Sequence, residues 1–399
     1  MLIGIDLLWV RPGINGGTES AIRNLMNGFG SYDDKNEYIL FAGKDTAESF
    51  SDYEKYPNMR IEVCDTECLK RIKRIAWENT KLDKLARKLG VELMFIPVYS
   101  KPNSLNEKKG GIPYITVIHD LQALHFPEYF SKAKIIFARR SWKKACAESR
   151  KVITISEFCK DDIIKNYPFA KDKILVIYDA LEVNESSEDL SKVFDILKEK
   201  YGIEKDGYFY TLSSMLPHKN LETLIKAMGL YKKSLPGVKD DENKDNVLSN
   251  AEPSINAHKG FKLVVSGVGG NKEAFSRCVK EEGVEDMVID TGFVRDKERD
   301  ALYENCSLFL FPSIFEGFGM PPVEAMMKGA RVVTTRRACI EEITQGKAEY
   351  VEDPLSAAEW VEAIDKALLV DKKTVDFPEY DLKNVTLKYL DVFNGIKEI

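Results

Sequence analysis

The residues best placed to do chemistry lie in one short stretch, FPSIFEGFGMPPVEAMMKGARVV at 311–333. The apolar run LFLFPS at 308–313 reads as a strand, a loop with Gly317 and Gly319 follows, and a helix begins near Pro321. Glycines let a ligand approach the backbone, Pro321 and Pro322 suit a first helical turn, and free N–H groups at such a turn favour hydroxyl or anionic partners. Glu316 and Glu324 stand eight positions apart across this turn, so one carboxylate can meet each end of an elongated ligand rich in vicinal hydroxyls. Each acid also has a plainer reading: Glu324 as a charge complementing a helix dipole, Glu316 as a solvated loop acid. Spacing by itself leaves both open.

Other candidates are weaker when taken alone. Lys219, in LSSMLPHKNLETLIKAM at 212–228, precedes a helix and by itself reads as a solvated charge. His119-Asp120 follows the run YITVI, and catalytic side chains gather at strand ends, yet an unplaced His is more often a satisfied structural group. His125 reads as structural. The turn in GINGGTESAIRNL at 13–25 opens a helix without a G-x-G-x-x-G fingerprint. Seven cysteines form neither an even framework nor a zinc module; Cys64 and Cys68 are the one close pair and lack a nearby His, so all read as reduced thiols. No Asp-x-Asp pair sits in a strand-end loop, and a metal-independent site is expected.

Positioning these residues requires a particular set of elements. In the first half, short β-branched runs (2–10, 38–42, 59–63, 93–98, 114–118, 151–156 and 174–178) alternate with helical spacing such as Thr18 to Phe29 and Ser131 to Glu148. Strand, helix, strand in this order is the pattern of a parallel α/β sheet. A polar stretch at 181–207 interrupts it, and a second series restarts with runs at 208–213, 262–267, 287–292, 308–313 and 331–335. The segment 237–259 is polar and aperiodic, a solvated insertion. A chain of 399 residues with 44 % hydrophobic and 31 % charged residues suits two ordered Rossmann-like domains. A net charge of −6 argues against a general nucleic-acid binder, and no apolar run or leader pattern supports a membrane span or secretion, so a cytoplasmic protein is expected.

With these elements in place, 311–333 resembles the E-x7-E motif of retaining glycosyltransferase family 4, and further segments fall in that family's order from Gly16 onward. The resemblance implies a GT-B architecture, two Rossmann-like α/β domains facing across a cleft: residues 1–185 on the acceptor side and 186–379 on the nucleotide-sugar side, a C-terminal helix at about 380–399 packing back on the first. It implies that Glu316, Phe318, Gly319, Met320 and Pro321 hold the donor sugar and that Glu324 binds the nucleotide ribose. The strand-loop-helix at 212–228 then holds the donor diphosphate through Lys219, with Ser214 where the family often has an Arg nearby and His218 where another basic residue is common. His119 contacts the donor sugar, Gly16 and Gly17 border the phosphates and the acceptor with Glu19 nearby, and Gly267 and Phe293 line the base. Glu342, in RRACIEEITQG, takes a usual acidic position and reads as structural.

The activity so implied is transfer of a hexose, of mannose or glucose type, from a nucleotide-diphosphate sugar (GDP-mannose or a UDP-hexose) to a saccharide or lipid-linked acceptor, with retained configuration and no cofactor, in cell-surface polysaccharide or glycolipid synthesis. Two other readings fit the same fold: a nucleotide-sugar epimerase, and a non-catalytic sugar-nucleotide-binding subunit. Basic helical stretches at 68–88 and 131–151, each with one Trp, usually mean a solvated face; they also suit peripheral contact with the inner face of an anionic membrane.

Overall fold

The computed structural model describes residues 1–99, 102, 104, 105, 107, 110–181, 190–235 and 260–396. The polar segment expected as an insertion at 237–259 lies outside them. The chain divides into two compact units, Met1–Glu182 with Pro378–Ile399, and Val183–Phe377.

The first unit is built on seven strands: β1 (Leu2–Asp6), β2 (Glu37–Gly43), β3 (Met59–Cys64), β4 (Leu93–Ile96), β5 (Tyr114–Val117), β6 (Lys151–Thr154) and β7 (Ile174–Val176). They pair in parallel in the order β3-β2-β1-β4-β5-β6-β7. Helices α1 (Gly17–Tyr32), α2 (Arg71–Lys88), α3 (Gln122–His125), α4 (Lys132–Glu148) and α5 (Glu157–Asn166) connect them. Strands such as LMFI and YITV are buried throughout, as a sheet covered on both faces demands.

The second unit repeats the plan with β8 (Tyr208–Leu212), β9 (Lys262–Ser266), β10 (Val288–Gly292), β11 (Leu308–Phe311), β12 (Arg331–Thr335) and β13 (Glu349–Val351), in the parallel order β10-β9-β8-β11-β12-β13. Its helices are α6 (Leu190–Tyr201), α7 (Leu221–Ser234), α8 (Lys272–Glu281), α9 (Asp296–Asn305), α10 (Met320–Met327), α11 (Ile340–Thr344) and α12 (Ala357–Leu368). The last helix, α13 (Leu382–Ile396), returns to the first unit.

In each sheet the order reverses direction beside the first strand, between β1 and β4 and between β8 and β11. Loops leaving such neighbouring strands in opposite directions open a crevice at the carboxyl edge, where α/β folds bind ligands. The loops after β8 and β11 carry Lys219 and Glu316.

Three details depart from the sequence pattern. The apolar run 2–10 suggests one long strand, yet β1 stops at Asp6, whose Oδ1 accepts the Leu8 N–H at 3.1 Å and turns the chain; Leu7 to Val10 are buried as loop. Within the polar stretch at 181–207 lies α6, which buries Phe194 and Leu197. β13 has three residues, too few for a periodic signal.

α13 packs on α1 at close range. A Cβ on Gly28 would fall 2.0 Å from Thr386 Oγ1, so the absence of a side chain there is what permits the approach. Phe29 then meets Tyr389 at 6.0 Å and Phe393 at 5.5 Å, and Phe95 of β4 meets Phe393 at 5.4 Å between ring centroids. Phe393 is fully buried. Phe393→Ala should therefore cost about 3–5 kcal/mol in urea-unfolding free energy, the range for a large core truncation; a loss below about 1 kcal/mol would mean that α13 is dispensable to the first unit.

Candidate active site

The second unit brings its sequence-selected residues to the switch point between β8 and β11. After β8 the chain turns through Pro217–Lys219 to Asn220, which adopts a left-handed φ of 52° and starts α7. Asn220 holds that conformation because its Nδ2 donates to Pro354 O at 2.7 Å and its Oδ1 accepts from Thr223 Oγ1 at 2.7 Å. The His218 carbonyl accepts Ile314 N–H at 2.8 Å and Ser313 Oγ–H at 3.1 Å, tying this loop to the one after β11.

Across that tie Lys219 Nζ meets Glu316 Oε1 at 2.6 Å, with 28 % and 15 % of the two side chains exposed. Cys339 Sγ donates to the carbonyls of Glu316 and Phe318, each at 3.2 Å, and clamps the loop from the far side. Gly319 turns the chain at φ +86° and caps α10. Pro321 and Pro322 lack N–H groups, so the start of α10 offers fewer donors than an ordinary helix; the donors a ligand can meet are those of the glycine loop and Met320.

Burial bears on two of these residues. His218 stands where a second cation is common, but burial, and then the charge of Lys219, push its imidazole down to about 4, so it is neutral near pH 7. Lys219 therefore supplies the positive charge of this loop. Phe318 is buried, so it can meet a ligand through its backbone, not its ring.

Glu324 lies on α10, where Tyr303 Oη–H donates to Oε2 at 3.3 Å and Arg299 Nε approaches the same oxygen to 3.6 Å. Burial pushes its carboxyl above the usual range and Arg299 opposes this. Along the carboxyl edge toward β10 come Ser214, half-buried; Gly267, at φ +87° with its N–H on Gly292 O at 2.9 Å; and Phe293, 89 % exposed.

His119, Gly16 and Gly17 belong to the first unit. Just past β5, His119 Nε2 contacts Pro97 O at 3.2 Å, and its own carbonyl accepts Cys159 Sγ–H at 3.0 Å. Gly16 and Gly17 are exposed at the start of α1. Glu19 is buried, accepting Gly13 N–H at 3.0 Å and Arg23 Nε–H at 2.9 Å, and so braces the glycine turn. His125 pairs with Asp162 at 2.7 Å.

Sequence reasoning missed Asp179, Asp6, Glu78 and Arg299. Asp179 and Asp6 are buried acids just beyond or at strand ends, Glu78 is a buried acid of α2, and desolvation pushes all three carboxyls up, with Arg74 opposing it at Asp6 and Glu78. Their one legible trace is an acid interrupting or closing an apolar run, as in ILVIYDAL.

Residues 15–185 match the family described as Glycosyltransferase Family 4, and residues 193–383 match Glycosyl transferases group 1. The chain is 26 % identical over 241 residues to O-antigen chain mannosyltransferase B of Escherichia coli, covering 60 % of this chain and 57 % of that protein. It is 27 % identical over 247 residues to O-antigen chain mannosyltransferase RfbU of Salmonella typhimurium, covering 62 % and 58 %. Less than two thirds of either relative is thus spanned. The fold is that of Anabaena HepE, solved in complex with UDP and glucose, at a TM-score of 0.69 and 16 % identity over 99 % of this chain and 100 % of that one.

The ion pair can be tested without knowing a ligand. In a double-mutant cycle of Lys219→Met and Glu316→Gln, the coupling should be about 1–2 kcal/mol in unfolding free energy, because both groups are more than half buried; a coupling near zero would reduce the pair to two independently solvated chains.

Proposed function

We propose that this chain, its fold that of the GT-B glycosyltransferases and its halves matched by Glycosyltransferase Family 4 and Glycosyl transferases group 1, is a glycosyltransferase that transfers a hexose from a nucleotide-diphosphate sugar to an acceptor hydroxyl with retained anomeric configuration. The observation that carries the reading is the Lys219–Glu316 pair at 2.6 Å, set against a glycine turn at a topological switch point.

A donor replaces this internal pairing with a better one. Its diphosphate takes the ammonium of Lys219 and its sugar hydroxyls take the carboxylate of Glu316, so both charges keep a partner when the ligand arrives. As the glycosidic C–O bond to phosphate breaks, negative charge grows on the leaving oxygen and is opposed by Lys219 and the loop N–H groups. Positive character grows at the anomeric carbon and is met by Glu316, with His119 contacting the sugar. The acceptor oxygen approaches on the face from which the diphosphate departs, and its proton passes to the phosphate oxygen. Glu324, steered by Tyr303 and Arg299, takes the ribose hydroxyls; Ser214, Gly267 and Phe293 border phosphate and base; Met320 and Pro321 shape the sugar site; Gly16 and Gly17 border phosphates and acceptor.

GDP-mannose is the favoured donor, supported by relatives named as O-antigen mannosyltransferases; the UDP and glucose held by HepE make a UDP-hexose the second choice. The acceptor is a saccharide or lipid-linked glycan of cell-surface polysaccharide synthesis, met at the cytoplasmic face of a membrane. Among the described residues no helix is long and apolar enough to cross a bilayer. The first unit instead exposes Leu69, Ile72, Ile136 and Phe137 on or beside the basic helices α2 and α4, and the charges of Arg11 and Arg71 act on Lys134, which suits an anionic surface.

A nucleotide-sugar screen by thermal shift should show GDP-mannose or a UDP-hexose raising the melting temperature. With that donor and an oligosaccharide acceptor extract, Glu316→Ala and Lys219→Ala should each lower kcat/KM by about 100-fold. Near-normal turnover would remove the residue from the mechanism, and donor converted with no glycoside formed would identify an epimerase. In sedimentation with phosphatidylglycerol vesicles the protein should bind, and Ile72→Glu should weaken binding about tenfold; equal binding to phosphatidylcholine vesicles would count against an electrostatic membrane contact.

A further inference from the structure

Glu324 is held by one oxygen and open at the other. Its Oε2 accepts Tyr303 Oη–H at 3.3 Å and faces Arg299 Nε at 3.6 Å, whereas Oε1 meets no donor among the described residues. The side chain is 23 % exposed, and Oε1 is not sealed from solvent. Arg299 and Tyr303 stand one turn apart on α9 and address the same oxygen from one helix face.

Tyr303 has no room to leave. It is fully buried, with the rings of Tyr210 and Phe309 at 5.4 and 5.0 Å, so its hydroxyl is a fixed donor. Arg299 is fixed differently. Acids of its own helix take its terminal nitrogens, Asp296 taking Nη1 at 3.0 Å and Asp300 taking Nη2 at 3.2 Å, which leaves the Nε edge turned to α10. That N–H is buried and makes no hydrogen bond among the described residues. Asp300 in turn reaches Lys328, just past the end of α10, at 3.2 Å.

Two bridges therefore join α9 to α10, and they differ. The Asp300–Lys328 pair is sufficient to tie the helices. The Arg299–Glu324 pair, left longer than a hydrogen bond with a buried donor unsatisfied, adds little to packing, because such an N–H costs stability. Its effect is to set a positive charge beside a carboxylate that a ligand will cover. Vicinal hydroxyls docking on Oε1 displace its water, and an acid so desolvated takes up a proton unless a cation stands beside it. Burial already pushes Glu324 up, and the charge of Arg299 is the largest influence opposing it.

We propose that Arg299 is a positioning residue for Glu324 and sets the preference of the site for ribonucleotides: with Tyr303 it anchors Oε2, so that an ionised Oε1 is left to accept from the vicinal hydroxyls of a ribose and rejects a sugar that lacks them. This rests on the reading that Glu324 takes the ribose hydroxyls. The diphosphate separates the ribose from the reacting carbon, so the contact is equally strong in ground and transition states, and Arg299 acts on donor binding and not on the turnover of bound donor.

The test measures Kd by calorimetry in the full chain for GDP and 2′,3′-dideoxy-GDP, or for the uridine pair if the thermal screen selects a UDP-hexose. Wild type should prefer the ribonucleotide by about 30-fold or more, because the dideoxy sugar leaves a desolvated charged acceptor without a partner. Glu324→Gln and Arg299→Met should each reduce that ratio to about threefold or below, and Arg299→Lys, which keeps the charge without the fork, should fall between. Lys328→Met removes the other bridge and should keep the wild-type ratio. With the sugar donor, Arg299→Met should raise KM about tenfold and change kcat by less than about twofold. If Arg299→Met and Arg299→Lys both keep the wild-type ratio while Glu324→Gln loses it, the positioning role is overturned and the ribose reading stands. The role is likewise overturned if Lys328→Met loses the ratio as fully as Arg299→Met, since helix packing alone would then account for the loss. If Glu324→Gln keeps the ratio, the reading beneath the proposal fails.

Discussion

Lys219 and Glu316 are 97 residues apart in the chain and 2.6 Å apart in space, and the candidate site depends on that closure. β8 and β11 are neighbours in one parallel sheet, so their carboxyl ends deliver two loops to the same place. Hydrogen bonds from the Ile314 N–H and the Ser313 hydroxyl to the His218 carbonyl lock the loops together before any side-chain charge is considered. The ion pair is thus a consequence of strand order, and both of its side chains are more than half buried.

Charge is managed differently in the first unit. Asp6 and Glu78 are buried with a single guanidinium, Arg74, whose Nε lies 3.3 Å from Glu78 Oε1. Desolvation raises both carboxyls, and sharing one cation joins the end of β1 to α2.

Much of this was legible in the residues. Runs such as YITV and LFLF announce buried parallel strands because a sheet covered on both faces has no polar face to interrupt the apolar sequence. Gly319 and the prolines after it announce the loop-to-helix turn, and Glu316 and Glu324 stand out as acids flanking it. Less legible were places where burial changes a residue's meaning: Leu7 to Val10 look like strand but are buried loop, and His218 looks basic but is held neutral.

Local pattern and covalent constraint by themselves determined the element types, the repeated α/β plan, the glycine turn and the list of ionisable candidates, since these depend on neighbours within a few residues. Tertiary structure decided which candidates meet and in which charge state: Lys219 on Glu316, Tyr303 and Arg299 on Glu324, His218 buried and neutral. Those outcomes depend on strand order and on desolvation, and both arise from contacts between segments remote in sequence, where no local period carries the information.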